Sequence, residues 1–253
     1  MKNPEILVLF LIVVLALIVF VNEKEVNVFK DGLPIITGSG ELLDVNPVDV
    51  TIIFPECDCF DAKSFVDQLV IAGLNASQII ELTASEGYGL IQEYSLEKLP
   101  AIIFSNKIVD YPFFSGLSFY GTLESNVFVF RSPEPPYYKV SNGEIVEGVV
   151  SVTYVSHSNC DKCYNVSVHR DVLENTYGVI IGSEFFVNET SPLIEEYNIT
   201  KLPTVILSPE ASDYPALLRV WPGVVASDGS LVFTEPESLG KVWYYDLELD
   251  EII

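Results

Sequence analysis

Basic residues are scarce in this chain: 13 Lys and Arg stand against 36 Asp and Glu, a formal net charge of −23. Sequence-independent nucleic-acid binding needs clustered Lys and Arg against phosphate, and attraction to anionic lipid headgroups needs the same, so both are excluded as general functions. Methionine occurs once, as the first residue, which leaves no thioether cluster for copper(I). Four cysteines in 253 residues are too few for a disulfide-stapled miniprotein. They fall in two close pairs, Cys57 with Cys59 and Cys160 with Cys163, which is enough for two chemical sites. Gly-rich phosphate loops, zinc-protease helix motifs and serine elbows are all missing. Charged residues make up 19% against 49% hydrophobic, with a mean hydropathy of +0.35, a balance that excludes a disordered chain. The length corresponds to between one and two domains at about 150 residues each.

One long apolar run is present, the 16 residues Ile6–Val21. It approaches the roughly 17–25 residues of a spanning helix. Two other readings are a cleaved signal peptide and a buried core helix. The run ends Val-Phe-Val-Asn-Glu with no small-x-small cleavage site, which favours an uncleaved signal anchor at 1–21 followed by a tether at 22–46. One Lys on each side decides orientation weakly, and the position at the extreme N-terminus favours a single-pass protein with its bulk extracytoplasmic. Four Asn-x-Ser/Thr sequons, at Asn75, Asn165, Asn188 and Asn198, agree with export.

The remainder is an approximate duplication. VTIIFPECDCF at 50–60 matches VTYVSHSNCDKCY at 152–164, and YSLEKLPAIIFS at 94–105 matches YNITKLPTVILS at 197–208. Cys59 precedes Pro100 by 41 residues and Cys163 precedes Pro203 by 40. Within each copy the pattern reads strand, helix, strand, helix, strand. The β-branched runs Val48–Phe54 and Val149–Val155 are expected to be buried strands. Helical spacing follows each cysteine pair, at Phe65, Leu69 and Ala72 and less cleanly at Val168, Val172 and Asn175. Gln78–Leu82 and Val179–Phe186 read as second strands, Gly89–Tyr94 and Pro192–Tyr197 as short helices, and Ala101–Phe104 and Thr204–Leu207 as strands opened by Leu-Pro. Asn142-Gly143 marks a hairpin turn, with Asp228-Gly229 as its expected second-copy partner. The acidic end, Asp246–Ile253, reads as a frayed tail, and Trp243, Tyr244 and Tyr245 as packing.

Cys160-Asp161-Lys162-Cys163 follows a buried strand and is expected to open a helix, whose N-terminal N–H groups would favour a thiolate. Cys160 is then the nucleophile and Cys163 the resolving thiol. Lys162 favours the thiolate and Asp161 opposes it. Two other readings of the pair are a structural disulfide and a metal site. Cys57-Asp58-Cys59 has one intervening residue. Its disulfide would close a tight, oxidising ring, while Glu56 and Asp58 would raise the thiol pKa values. Redox activity, a structural or binding role and metal binding all remain open for it.

A strand, a CxxC and a helix, followed 40 residues later by Leu-Pro entering a strand, resembles the thioredoxin family. Two such units look like the tandem-thioredoxin protein disulfide oxidoreductases of archaea and the disulfide isomerases. The resemblance implies an α/β chain of two tandem thioredoxin-like domains, each a central mixed sheet flanked by helices, after the N-terminal transmembrane helix. Domain 1 would span 47–135, a linker and hairpin 136–148, domain 2 149–247 and an acidic tail 248–253. It implies that Pro203 is cis and packs on the disulfide, that Leu202 offers backbone groups to substrate, and that Pro100 and Leu99 are their first-copy counterparts. The implied activity is thiol–disulfide exchange with protein thiols and an unidentified redox partner, without cofactor or metal. Asn159 stands where thioredoxins often carry an aromatic, and Val152–Val155 lacks their buried acid, so His157 is the candidate for proton handling. A non-catalytic binding or surface-assembly protein with structural disulfides is the alternative, and a copper or zinc metallochaperone a second.

Overall fold

The computed structural model describes residues 46–253. The apolar run and nearly all of the tether lie outside these residues. Among the described residues no helix is long and apolar enough to cross a membrane. The chain divides after Glu147 into two units, each a mixed α/β body with its own sheets.

In the first unit, β1 (Val48–Phe54) is followed by α1 (Ala62–Ile71), β2 (Ala76–Thr83), α2 (Tyr88–Glu93), β3 (Lys98–Leu99) and β4 (Ala101–Ser105). Then come α3 (Phe114–Leu117), β5 (Gly121–Glu124), β6 (Val127–Phe130), β7 (Tyr137–Lys139) and β8 (Ile145–Val146). The main sheet runs β2-β1-β4-β6-β5, with β1 parallel to β2 and every other pair antiparallel. Alternation along β1 buries Val48, Val50 and Ile52, and the apolar run of β4 is buried throughout from Ala101 to Phe104. Asp61 caps α1, its carboxylate accepting from the Ser64 N–H at 2.9 Å, and the helix buries Ala62, Phe65, Val66 and Leu69.

The second unit repeats this order. It comprises β9 (Val149–Ser156), α4 (Val168–Tyr177), β10 (Ile180–Asn188), α5 (Leu193–Glu196), β11 (Lys201–Leu202) and β12 (Thr204–Leu207). After them come α6 (Pro215–Val220), β13 (Gly223–Val225), β14 (Leu231–Phe233), β15 (Tyr245–Asp246) and β16 (Glu251–Ile252). Its sheet, β10-β9-β12-β14-β13, has the same order and the same directions. Val150, Val152 and Tyr154 pack on one face, and Val155 joins Leu202, Ile206 and Val232 on the other. This sheet, with a helix between its parallel strands, agrees with the thioredoxin-like arrangement the sequence implied.

Two buried tyrosines show how far the duplication extends. Tyr111 donates to the Asn46 carbonyl at 3.1 Å and accepts from the Asn75 N–H at 3.0 Å, tying the entries of β1 and β2. Tyr214 does the same for β9 and β10, through the Gly148 carbonyl at 2.7 Å and the Ile180 N–H at 2.9 Å.

Three sequence expectations are corrected. Along α4 the buried residues are His169 and Leu173, whereas Val168 and Val172 are about 40% exposed. The helix is turned about one residue from its apolar stripe, because the His169 ring is held between Tyr164 and Phe233. The Asp228-Gly229 turn joins β13 to β14 and so corresponds to the β5–β6 connection, not to Asn142-Gly143. The true counterpart of the β7–β8 hairpin is the C-terminal β15–β16 hairpin. Accordingly Asp246–Ile253 is not a frayed tail: Tyr245 pairs with Ile252, Asp246 with Glu251, and the Ile253 N–H donates to the Tyr244 carbonyl at 2.9 Å. The hairpin expected around Asn142-Gly143 is present as β7–β8, and it belongs to the first unit.

Candidate functional site

β9 delivers the chain to the cysteine turn. After Ser156 the backbone folds so that the Cys160 N–H donates to the His157 carbonyl at 3.3 Å, and the Cys163 N–H to the Cys160 carbonyl at 3.2 Å. Cys160 and Cys163 are disulfide-bonded, and both are partly exposed. The turn does not open a helix. α4 begins at Val168, beyond Ser167, so its N-terminus is not adjacent to Cys160 and the expected helix support for a thiolate is missing. Residues 164–167 separate the turn from the helix, and there Asn165 accepts from the Ser167 N–H at 3.0 Å.

The Leu202–Pro203 bond is cis, and Cys163 Sγ lies 3.8 Å from the Leu202 carbonyl oxygen. Cys163 is thus the sulfur that faces the cis-proline strand. Tyr164, the next residue, donates its hydroxyl proton to the Pro203 carbonyl at 2.7 Å. With that proton committed, the 3.0 Å contact between the Tyr164 oxygen and His169 Nε2 is a donation from a neutral imidazole. Burial pushes the His169 pKa down to about 4, which keeps the ring neutral, and burial pushes the Tyr164 hydroxyl above its ordinary value. The network fixes the cysteine turn against the cis-proline strand. Neither Tyr164 nor His169 was singled out from the sequence as a site residue; the adjacency of Tyr164 to the CxxC was the signal available.

His157 stays at the site in a different posture from a free base. Its Nδ1 accepts from the Asn159 N–H at 3.2 Å, and its ring stacks on Tyr245 with centroids 3.9 Å apart. Glu189 closes the other side of the turn, accepting from the Ser158 N–H at 2.8 Å and its hydroxyl at 3.0 Å, and these bonds hold its carboxyl below the usual range.

The first unit presents the same scaffold with an apolar lining. Cys57 and Cys59 are disulfide-bonded, and Leu99–Pro100 is cis. Cys59 lies three residues before Ala62, the first residue of α1, closer to a helix start than the CxxC is. Phe60 occupies the place of Tyr164, and Phe65 that of His169. Their rings lie 5.8 Å apart, and Phe65 packs on Phe130 at 5.2 Å as His169 packs on Phe233 at 4.6 Å. Phe60 has no hydroxyl, so the bond to the cis-proline carbonyl has no equivalent here.

In both units the backbone edge before the cis-proline is taken. Leu202 stands opposite Tyr245 and Lys201 opposite Asp246, while Leu99 stands opposite Tyr138 and Lys98 opposite Lys139. The edges that the resemblance assigned to substrate at Leu202 and Leu99 are occupied by the chain's own hairpins. Among the described residues there is no group of three or more His, Cys, Asp or Glu placed to hold a metal ion.

No family model matches the chain, and the search of curated proteins found no match in sequence. Among solved structures, the chain is similar to the alkylhydroperoxide reductase component AhpF of Enterococcus faecalis, with 11% identity, 64% of this chain and 81% of that chain covered, and a TM-score of 0.23. It is also similar to a protein disulfide oxidoreductase from Aeropyrum pernix, with 14% identity, 64% and 77% covered, and a TM-score of 0.21. A third similarity is to ERdj5, with 9% identity, 65% of this chain and 24% of that chain covered, and a TM-score of 0.19.

Proposed function

We propose that the protein is a thiol–disulfide oxidoreductase whose working centre is Cys160–Cys163. The observation that carries this reading is the partly exposed disulfide with one sulfur, Cys163, held 3.8 Å from the carbonyl before cis-Pro203. A thiolate attacks Cys160 Sγ, Cys163 departs as the leaving thiolate, and the mixed disulfide on Cys160 is resolved by a second thiol. In the opposite direction reduced Cys160 attacks a substrate disulfide and Cys163 resolves it. Tyr164 and His169 act as positioning residues that keep the turn seated on the cis-proline strand. The Phe60–Phe65 lining of the first unit favours a supporting role for Cys57–Cys59 and Pro100. The N-terminal apolar run supports single-pass anchoring with both units extracytoplasmic, a compartment in which disulfides persist.

The test is a thiol-trapping redox titration read for each cysteine pair. For an exchange centre Cys160–Cys163 titrates between roughly −120 and −270 mV, the range of known exchange proteins. Cys160→Ser abolishes exchange, and Cys163→Ser leaves mixed disulfides trapped on Cys160. If the bond stays oxidised below about −300 mV, it is structural. That second reading, a binding or assembly protein, is favoured by the hairpins lying across both cis-proline strands.

A further inference from the structure

The hairpin over Leu202 decides what can reach the disulfide. An extended polypeptide gains sequence-independent affinity by adding a strand to an open sheet edge, where its main chain finds partners. Beside Cys160–Cys163 that edge is Lys201–Leu202, and β15 fills it. The hairpin and the residues leading into it are fastened by several contacts to the cysteine turn and the cis-proline strand. The Leu247 N–H donates to the Thr200 carbonyl at 2.8 Å, and the Tyr164 N–H donates to the Trp243 carbonyl at 2.9 Å. The Tyr245 ring lies on His157, and its hydroxyl donates to Asp250 at 2.5 Å within the hairpin. Glu237 accepts from Lys201 at 2.6 Å and from the buried Tyr244 at 2.7 Å, and Lys201 lies 5.2 Å over the Tyr244 ring. Leu247 packs against the cluster containing Leu202 and Ile206. The first unit is built the same way. There β7 lies on Lys98–Leu99, the Val140 N–H donates to the Glu97 carbonyl at 2.9 Å, the Phe60 N–H donates to the Pro136 carbonyl at 2.7 Å, and Lys98 lies 4.0 Å over the Tyr137 ring. The strap thus recurs in both units on the strand before the cis-proline.

We propose that the Cys160–Cys163 centre exchanges with low-molecular-weight thiols and disulfides, and that docked β15–β16 excludes extended polypeptide substrates. This rests on the exchange reading above. A small thiolate needs only the partly exposed sulfur. It attacks Cys160 Sγ, the Cys160–Cys163 bond breaks, and Cys163 leaves as a thiolate that takes up a proton. A second small thiolate attacks the first one's sulfur in the mixed disulfide and releases the Cys160 thiolate, which takes up a proton. Two small thiols become one small disulfide, and the protein disulfide becomes two thiols. A polypeptide would have to displace the hairpin first, giving up the bonds named above and exposing Tyr244.

The test compares two substrates on the full chain: oxidised glutathione and insulin, each with dithiothreitol as the electron source. The expected result is turnover of the small disulfide at least tenfold faster than insulin reduction. Two variants open the edge: removal of residues 245–253, which takes away β15 itself, and, should that chain fail to fold, Leu247→Asp, which breaks the packing that holds β15 down. Either is expected to raise insulin reduction tenfold or more while small-disulfide turnover stays within twofold. Insulin reduction by the unaltered chain at a rate equal to the small disulfide, or no gain in a folded open variant, overturns the proposal and leaves the exchange reading intact. No turnover of either substrate, with Cys160–Cys163 inert to dithiothreitol, overturns the exchange reading itself and this proposal with it.

Discussion

The two cysteine turns differ by a few side chains with large chemical consequences. Tyr164 and His169 form a buried polar pair, and Phe60 and Phe65 an apolar one, on the same scaffold. A buried imidazole that must stay neutral makes stability depend on pH. Its ordinary pKa is near 6.5 and in the fold it is about 4. Between those values the unfolded chain holds more protons than the folded one, so the contribution present above pH 6.5 is lost as pH falls toward 4. The full difference is at most about 3 kcal/mol at 1.36 kcal/mol per unit. His169→Gln keeps a donor for the Tyr164 oxygen without a titrating ring. Thermal unfolding of both proteins from pH 7 to pH 4 should show the wild-type midpoint falling more steeply. Parallel curves would mean the ring is not buried in the neutral form. Cys160 reactivity lives at the same scale. Since α4 starts at Val168, any thiolate stabilisation there has to come from groups of the turn and not from the helix end.

Elements show what was legible in the sequence and what was not. The strands Val48–Phe54 and Val149–Ser156 were readable because β-branched residues fill a pleated, buried surface. The cis-proline segments were readable because Lys-Leu-Pro recurs. Hairpin β15–β16 was missed because its turn, 247–250, shares no residue pattern with Asn142-Gly143. What the two hairpins share is a Tyr-Tyr strand, Tyr137-Tyr138 and Tyr244-Tyr245, which local turn chemistry does not reveal. The rotation of α4 was hidden for a similar reason, since His169 is buried against Phe233 of a distant strand, which no apolar stripe announces. A further paired feature surfaces only in three dimensions. A Cβ at Gly121 would sit 2.0 Å from the Val129 carbonyl oxygen, and one at Gly223 would sit 2.0 Å from the Val232 oxygen. Both glycines open an edge strand pressed onto its neighbour's backbone. Gly223→Ala must push β13 off β14 and should cost about 1–3 kcal/mol, as other overpacking changes do. Urea unfolding would check it; an unchanged midpoint would mean the edge strand yields freely.

At the scale of the whole molecule the duplicated sheet fixes where two cysteine pairs stand, and the charge governs how that scaffold responds to its solvent. The chain carries −23, and ion pairs such as Lys63 with Glu81 and Arg170 with Glu174 lie at the surface. Exposed pairs of this kind contribute about 0–1 kcal/mol each, so screening them costs little. Unpaired carboxylates repel one another across the compact state far more than across an expanded chain. Raising ionic strength from 0.01 M to 1 M shortens the screening length from about 30 Å to about 3 Å, which removes most of that repulsion. The unfolding midpoint should therefore rise steadily with sodium chloride at pH 7, and the rise should shrink at pH 4, where many carboxylates are protonated. A midpoint that falls with salt at pH 7 would show the surface pairs to be worth more than the repulsion. The same field acts on substrates of the cysteine turn. An anionic thiol such as glutathione should exchange faster as salt is added, while a neutral thiol such as 2-mercaptoethanol should be indifferent. Equal salt slopes for the two would place Cys160 outside the reach of the acidic surface.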